Sequence, residues 1–199
     1  MQQDELHKED PQAARTKSLA EHARKASDKG LPPVHLWNPE FCGDIDIRIA
    51  RNGDWYYRGS IFTRLSMVKL FSTILRKDDD DYYLVTPVEK VRIQVDDAPF
   101  TIVSMETAEE NGLRIKMETN TGERLCVDKE HPLWVETDDD SGEPSPYVRV
   151  RDRLHALVSR SVFYQLVELA EPKDVDGRPC LVVESAGQAF QLGEIPLEE

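Results

Sequence analysis

A strand–turn–strand–helix pattern occurs twice in this sequence, at an offset of 101 positions and without a gap through the strands and the first helical turns. Ile47-Arg48-Ile49 aligns with Val148-Arg149-Val150, and Ser60-Ile61-Phe62 aligns with Ser161-Val162-Phe163. The strands of the first copy are predicted on either side of Asn52-Gly53, because this dipeptide favours a type I′ hairpin turn. A chain that contains the same unit twice is expected to fold as two related halves.

Each copy of the unit is predicted to end in a helix. Ser60 and Ser161 suit the N-cap position, since a serine hydroxyl accepts a hydrogen bond from a free N–H of the first turn. Apolar residues then recur at three- and four-residue spacing, to about Leu75 in the first copy and Ala170 in the second. The remaining segments alternate and are separated by turn residues. The fold class is therefore α+β: antiparallel strands with one helix in each half.

The sequence divides into three predicted segments. Residues 1–30 form a flexible N-terminal arm, residues 31–95 the N-terminal α+β half, and residues 96–199 the C-terminal β-rich half. The arm has few apolar side chains to offset the entropy cost of ordering it. We therefore expect it to contribute little to the core.

Composition narrows the classes of partner. The chain has 38 acidic and 25 basic residues and a formal net charge of −13, which argues against a nucleic-acid polymer or an anionic membrane as partner. Its three cysteines are far apart, as is typical of reduced thiols in a cytoplasmic protein. No apolar run has the length of a signal peptide core or a membrane span, so a cytoplasmic location is expected.

Arginines at equivalent positions of the two copies are candidate ligand contacts. A two-residue turn pairs Arg48 with Tyr57 and places both on one face of the hairpin with Trp55. Such a face suits an anion or a stacked base, although it also suits amphipathic cover at a sheet edge. Arg149 is the repeat mate of Arg48, and Arg151 lies beside it. Two equivalent arginines in an acidic chain favour a small anionic ligand.

Metal binding and catalysis have weaker support. Magnesium prefers oxygen ligands, so five carboxylates are considered as metal ligands: Asp44, Asp46, Glu89, Asp96 and Asp97. Carboxylates in such patterns are also common as ordinary solvent-exposed residues. No metal site and no cofactor is predicted. His131 precedes a proline and is interpreted as a turn residue, and nucleotide-binding and hydrolase motifs are absent from the sequence. No catalytic residue is assigned.

Several ordered runs resemble one bacterial family, the domain-of-unknown-function family 1285, over roughly Pro33 to Leu192. These runs are Trp37-Asn38-Pro39, Cys42 to Asp46, Leu84 to Lys90, Asp96 to Phe100, His131-Pro132-Leu133 and Tyr147 to Val150. The resemblance implies a duplicated α+β core whose C-terminal half is pleckstrin-homology-like. It also implies a cleft between the halves for a nucleotide-like ligand and a role in signal transduction, without catalytic residues.

The sequence thus predicts a non-catalytic, small-molecule-binding regulatory protein that takes a nucleotide-like anionic ligand in bacterial signal transduction. A protein partner in signalling is compatible with this role. The predicted ligand-binding residues are Arg48, Trp55, Tyr57, Thr86, Glu89, Lys90, Arg149 and Arg151. Two alternatives stay open: a metal-dependent enzyme acting on a phosphorylated small molecule, and a protein-interaction module that uses a sheet edge or a helix groove.

Overall fold

A computed structural model describes residues 10–27 and 30–195 of the chain. It contains three α-helices, one 3-10 turn at Val34–Leu36 and fifteen strands in this described part. The helices are α1 (Pro11–Ser27), α2 (Leu65–Thr73) and α3 (Arg160–Leu169). The strands are β1 (Phe41–Ile49), β2 (Trp55–Tyr57), β3 (Ser60–Ile61), β4 (Leu75–Asp78), β5 (Asp81–Val85), β6 (Lys90–Val95), β7 (Phe100–Glu109), β8 (Leu113–Thr119), β9 (Arg124–Cys126), β10 (Leu133–Thr137), β11 (Pro144–Arg151), β12 (Leu154–Val158), β13 (Glu171–Val175), β14 (Arg178–Ser185) and β15 (Gln188–Glu194).

The chain forms two compact units. Unit 1 comprises the described residues up to Arg48 together with Trp55–Gln94, and unit 2 comprises Ile49–Asp54 together with the described residues from Val95 onward. Unit 2 therefore includes the tip of the β1–β2 hairpin. The α+β prediction is confirmed, since three helices accompany mostly antiparallel sheets. The pleckstrin-homology-like character of the second half stays a prediction.

Unit 1 is built on a six-stranded sheet of order β3-β2-β1-β6-β5-β4. Alternate residues of β1, Ile45 and Ile47, are buried, as is expected for a strand with one face on a core. Helix α2 buries Val68 and Phe71, and α1 packs against α2. The core of this unit thus lies between one face of the sheet and its helices.

Unit 2 contains a curled six-stranded sheet of order β10-β11-β12-β7-β8-β9 and a three-stranded sheet of order β13-β14-β15. Strands β12 and β7 are parallel, and the other neighbouring strands of the large sheet are antiparallel. Helix α3 buries Val162 and Leu166, and it contacts β7 and β14. Val148 and Val150 of β11 and Ala156 of β12 are buried on the core face of the large sheet, and Tyr147 is buried on its other face.

The repeated unit is present in both halves, but its two helices do not begin at the positions that the sequence alignment pairs. Ser60 is in strand β3 and does not cap a helix, whereas α2 begins five residues later. The reason is a second tight turn: Arg58 and Gly59 have φ values of 51° and 74°, as a type I′ turn requires, and Tyr57 pairs with Ser60 across it. As a result Leu65 is 56% exposed, although its aligned partner Leu166 is fully buried.

The N-terminal segment differs from the prediction where the structure describes it. Helix α1 buries Leu19, Ala20 and Ala23, so residues 11–27 do contribute to the core of unit 1. The low apolar content misled the prediction because a narrow stripe of one leucine and two alanines is enough for a helix to lie close against another. Residues 1–9 and 28–29 of the predicted arm lie outside the described residues.

We expect Leu19→Ala to lower the free energy of unfolding by about 2–3 kcal/mol, because a fully buried leucine leaves a cavity when it is truncated. Denaturant unfolding followed by circular dichroism measures this value. Leu36→Ala is the matched control, since Leu36 is 72% exposed in the same unit, and a change below about 0.5 kcal/mol is expected there. Equal effects of the two substitutions would show that α1 is not part of the core.

Candidate functional site

The register of the β1–β2 hairpin determines where the predicted arginine and aromatic residues lie. The amide of Ala50 donates to the carbonyl O of Asp54 at 2.9 Å, and the amide of Arg58 donates to the carbonyl O of Asp46 at 3.0 Å. These bonds place Arg48 opposite Tyr56, one residue away from the predicted pairing with Tyr57. The Arg48 guanidinium lies 5.7 Å from the centre of the Tyr56 ring.

The one-residue change in register moves Trp55 and Tyr57 to the face opposite Arg48. Trp55 is 2% exposed, and the Tyr57 ring lies 6.1 Å from the ring of Phe62. The Trp55 Nε1 and Tyr57 Oη atoms are buried, and neither has a hydrogen-bond partner in the described part of the chain. The predicted platform of Arg48 with Trp55 and Tyr57 is therefore not formed.

Thr86 and Glu89 belong to the turn between β5 and β6. The Thr86 hydroxyl accepts hydrogen bonds from the amides of Val88 and Glu89, and its own amide donates to the Glu89 carbonyl O at 2.9 Å. Helix α1 then reaches this turn: the Ser18 hydroxyl donates to Glu89 Oε1 at 3.1 Å, and His22 Nδ1 lies 3.7 Å from the same oxygen. These contacts indicate a structural role for both residues.

Lys90 is committed to other partners within unit 1. Its ammonium group lies 2.6 Å from Asp78 Oδ2 and 3.9 Å from the centre of the Tyr83 ring. Arg76 donates to the same Asp78 oxygen at 2.8 Å. Burial opposes ionisation of Asp78, but hydrogen bonds from Arg76 and Lys90 outweigh it, and the pKa of this carboxyl is lowered. Arg76, Asp78 and Lys90 therefore form an ion cluster with a structural role.

Unit 2 contains an aromatic cluster on the face of its large sheet that is opposite the core. The Trp134 and Tyr147 rings stack with centres 5.7 Å apart, and His155 meets both rings edge-on at 5.8 and 5.4 Å. Arg149 lies directly opposite His155 and two residues beyond Tyr147, so it shares this face. We call Trp134, Tyr147, Arg149 and His155 the aromatic–arginine face.

Arg149 is exposed, and within the described residues its side chain has no acidic partner. Its backbone is fixed on both sides, because its amide donates to the Pro132 carbonyl O and its own carbonyl O accepts a hydrogen bond from His131 Nδ1, both at 3.1 Å. Arg151 differs: it pairs with Glu123 and lies 5.1 Å from the centre of the Phe100 ring. Of the two neighbouring arginines, only Arg149 is placed to meet a ligand.

The carboxylate of Asp97, which is largely buried, holds the aromatic cluster through Tyr147. The Tyr147 hydroxyl donates to Asp97 Oδ1 at 2.9 Å, and Arg51 Nη1 lies 3.0 Å from Asp97 Oδ2. Arg51 also donates to the Ser145 hydroxyl at 2.8 Å. Burial, followed by the hydrogen bond to Asp97, raises the pKa of Tyr147 to about 12. The hydroxyl therefore stays protonated and holds the stacked ring in one orientation.

The acidic residues considered as metal ligands are used differently in the structure. Asp44 forms two hydrogen bonds with Arg92, at 2.8 and 3.1 Å, and these lower its pKa. Asp97 is held by Tyr147 and Arg51. Among residues 10–27 and 30–195, no three acidic, histidine or cysteine side chains come together as a metal would require.

The family of this protein follows from comparison with known proteins. The N-terminal domain model of a family described as a domain of unknown function, DUF1285, matches residues 32–98. The C-terminal domain model of the same family matches residues 99–192. The chain belongs to the DUF1285 family. The resemblance noted in the sequence is confirmed.

Two solved DUF1285 structures are similar to this DUF1285 protein. A family member from Silicibacter pomeroyi DSS-3 is 44% identical with a TM-score of 0.80, and the match covers 89% of this chain and 95% of the other. A family member from Shewanella baltica OS155 is 33% identical with a TM-score of 0.50, and the match covers 62% and 91% of the two chains. No curated protein matches the sequence. None of the three α-helices in the described chain has the length and apolar character that crossing a bilayer requires.

Sequence reasoning found Arg149 but missed its aromatic neighbours. Trp134 is on β10, which precedes the second repeat copy, and His155 is within it. One sequence pattern could have indicated that Trp134 and Tyr147 are neighbours: their strands are separated by an acidic, Gly- and Pro-containing loop, as in a hairpin. The pairing of these two aromatic residues depends on the register of the hairpin, which a loop of this length does not specify.

We expect Tyr147→Phe to lower the free energy of unfolding by about 1.5–3 kcal/mol, because it removes a hydrogen bond to a carboxylate. Tyr57→Phe is the matched control: its hydroxyl is buried without a partner, so its removal is expected to be neutral or stabilising. Urea unfolding of both variants measures the difference. A cost for Tyr57→Phe as large as that for Tyr147→Phe would show that the Tyr57 hydroxyl has a partner, such as a bound water.

The pKa of Tyr147 makes a pH-dependent prediction. Because the pKa in the folded state, about 12, is above the ordinary value of 10.0, the folded protein retains a proton that the unfolded chain releases. This contribution to stability is complete below about pH 10 and is lost as the pH rises through about 12. Tyrosinate absorbance during alkaline titration is expected to show a late step that Tyr147→Phe removes. A wild-type titration that ends near pH 10 would contradict this.

Proposed function

We propose that this DUF1285 protein is a non-catalytic regulatory protein that binds a nucleotide-like anionic ligand at the aromatic–arginine face, in cytoplasmic bacterial signalling. One observation carries the proposal: Arg149 is an exposed guanidinium without an acidic partner in the described chain, beside stacked aromatic rings. The location between the two halves that the family resemblance implies stays a prediction.

The chemistry of this face suits a ligand with a planar ring and an anionic group. A guanidinium binds phosphate or carboxylate oxygens through two parallel hydrogen bonds. An aromatic ring stacks with a base, which contributes about 1–3 kcal/mol per base. Trp134 supplies the largest partly exposed ring, and its Nε1 donates to Glu136 at 2.9 Å, which orients the indole.

Preorganisation supports binding over a purely structural role. The backbone of Arg149 is held by Pro132 and His131, and the Tyr147 ring is held by Asp97. A ligand then meets side chains whose backbone and stacking partners are already ordered, so that less entropy is lost on binding. The three cysteines of the chain are free, and Cys180 is buried, which supports a reducing compartment.

A thermal-shift panel of nucleotides and other phosphorylated metabolites, with and without magnesium, tests the proposal. A ligand at about 100 times its Kd stabilises a protein by roughly 2.7 kcal/mol. Arg149→Gln is expected to abolish the shift while leaving the unfolding midpoint of the free protein unchanged, since Arg149 makes no side-chain ion pair in the described chain. Trp134→Phe is expected to weaken binding of a nucleotide more than binding of a sugar phosphate.

Arg124→Gln is the matched control, because Arg124 is 81% exposed in the same unit and its removal changes the net charge equally. It is expected to retain the full ligand shift. Loss of the shift in both variants would show that net charge alone governs binding. A shift that survives Arg149→Gln would place the ligand elsewhere, and a shift found only with magnesium would favour the metal-dependent enzyme.

A further inference from the structure

Two strand edges of unit 2 line one groove. Strand β10 is the terminal strand of the six-stranded sheet, and β15 is the terminal strand of the three-stranded sheet. A cavity of about 780 Å³ lies between them. Every residue from Ala189 to Glu194 lines it. Since only alternate residues line a cavity on the face of a sheet, the groove runs along the edge of β15.

The register of β10 shows which of its backbone groups point into this groove. The amide of Arg149 donates to the carbonyl O of Pro132, so hydrogen-bonded and non-hydrogen-bonded pairs with β11 alternate from that position. Leu133, Val135 and Thr137 occupy the non-hydrogen-bonded positions, and Val135 and Thr137 lie opposite prolines, which have no N–H. Their own N–H and C=O groups therefore point away from β11. Within residues 10–27 and 30–195, no strand pairs with that edge.

The groove has an apolar wall and an acidic rim. Leu133 and Val135 line it from β10, and Phe190 and Leu192 line it from β15; Val135 is partly exposed, and the other three are mostly buried. Exposed acidic residues follow β10 directly, in the loop that contains Asp138, Asp139 and Asp140. Glu136 is also exposed at this strand. A partner with apolar side chains on one face and cationic side chains on the other complements these surroundings.

We propose that the outer edge of β10 is a docking site for an extended, lysine- or arginine-bearing segment of another protein, which adds to the sheet as a further strand. Main-chain hydrogen bonds to Leu133, Val135 and Thr137 supply affinity, and the wall and rim select alternating apolar and cationic side chains. Trp134 belongs to both this groove and the aromatic–arginine face, but peptide docking uses main-chain groups of β10 and needs no contact with Arg149.

The spacing of the two edges sets a condition on binding. Cα atoms of β10 and β15 approach within 8 Å of each other. A strand bonded to both edges requires about 9.6 Å, twice the usual strand spacing. Docking therefore separates the nearest points of β10 and β15 by at least about 1.6 Å, and rearrangements of interface segments occur in a substantial minority of complexes.

Fluorescence anisotropy with a labelled heptapeptide of alternating lysine and valine tests the proposal on the full chain. Binding with a Kd tighter than about 1 mM is expected. The same peptide with N-methyl groups on alternate amides is expected to bind at least about tenfold more weakly, because N-methylation removes the donors that a strand ladder needs. A glutamate–valine heptapeptide is expected to bind more weakly for reasons of charge.

Val135→Pro removes an outward-pointing N–H without removing a hydrogen bond to β11, at an edge position where proline is tolerated. It is expected to abolish binding, whereas Val135→Ala, the control that keeps the N–H, is expected to bind within about threefold of wild type. The proposal would be overturned if the N-methylated and unmodified peptides bound equally well, or if the unmodified peptide did not bind. Both outcomes are measured on the wild-type protein, so they do not require the variants to fold. A doubled mass in light scattering that Val135→Pro reverses would show that a second copy occupies the edge, and would overturn it as well.

Discussion

The close packing of Gly53 against Thr101 and Asn120 determines the register of the hairpin on which much of this protein depends. Gly53 has a φ of 87°, and a Cβ there would lie 2.7 Å from both Asn120 Nδ2 and Thr101 Oγ1. Asn120 Nδ2 donates to the Gly53 carbonyl O at 3.0 Å. Only glycine satisfies both the left-handed conformation and this approach. The resulting turn from Ala50 to Asp54 is longer than a two-residue turn, and every strand residue that follows changes face.

That change of face explains why Trp55 and Tyr57 of β2 pack inside unit 1 and do not lie beside Arg48. Trp55 is buried, and its Nε1 is one of the few buried donors of the described chain without a partner. Arg48 instead meets Tyr56 on the opposite face. The equivalent arginine of the second copy, Arg149, lies opposite His155. Duplication thus preserved the arginine position in both units while the neighbouring aromatic residues diverged.

Local charge in this protein differs from what its net charge suggests. Many of its cations are neutralised pairwise: Arg92 by Asp44, Arg160 by Glu143, and Arg178 by Glu194. Such exposed pairs contribute little to stability, but they remove positive potential from the surface. Arg149 is not neutralised in this way, because the described residues place no carboxylate beside its guanidinium. A chain with a formal net charge of −13 can therefore present a cationic ligand contact and an acidic peptide groove in the same unit.

The sequence alone determined the α+β class, the duplicated strand–strand–helix unit, the family and the position of Arg149, because these depend on apolar periodicity, local turn residues and motif order. The tertiary structure decided the rest. Asn52-Gly53 predicted a type I′ turn, yet packing of Gly53 on Thr101 selected a longer turn, and the type I′ geometry occurs at Arg58-Gly59. Register, the aromatic–arginine face and the free edge of β10 depend on contacts between residues far apart in the chain, and local sequence patterns do not encode such contacts.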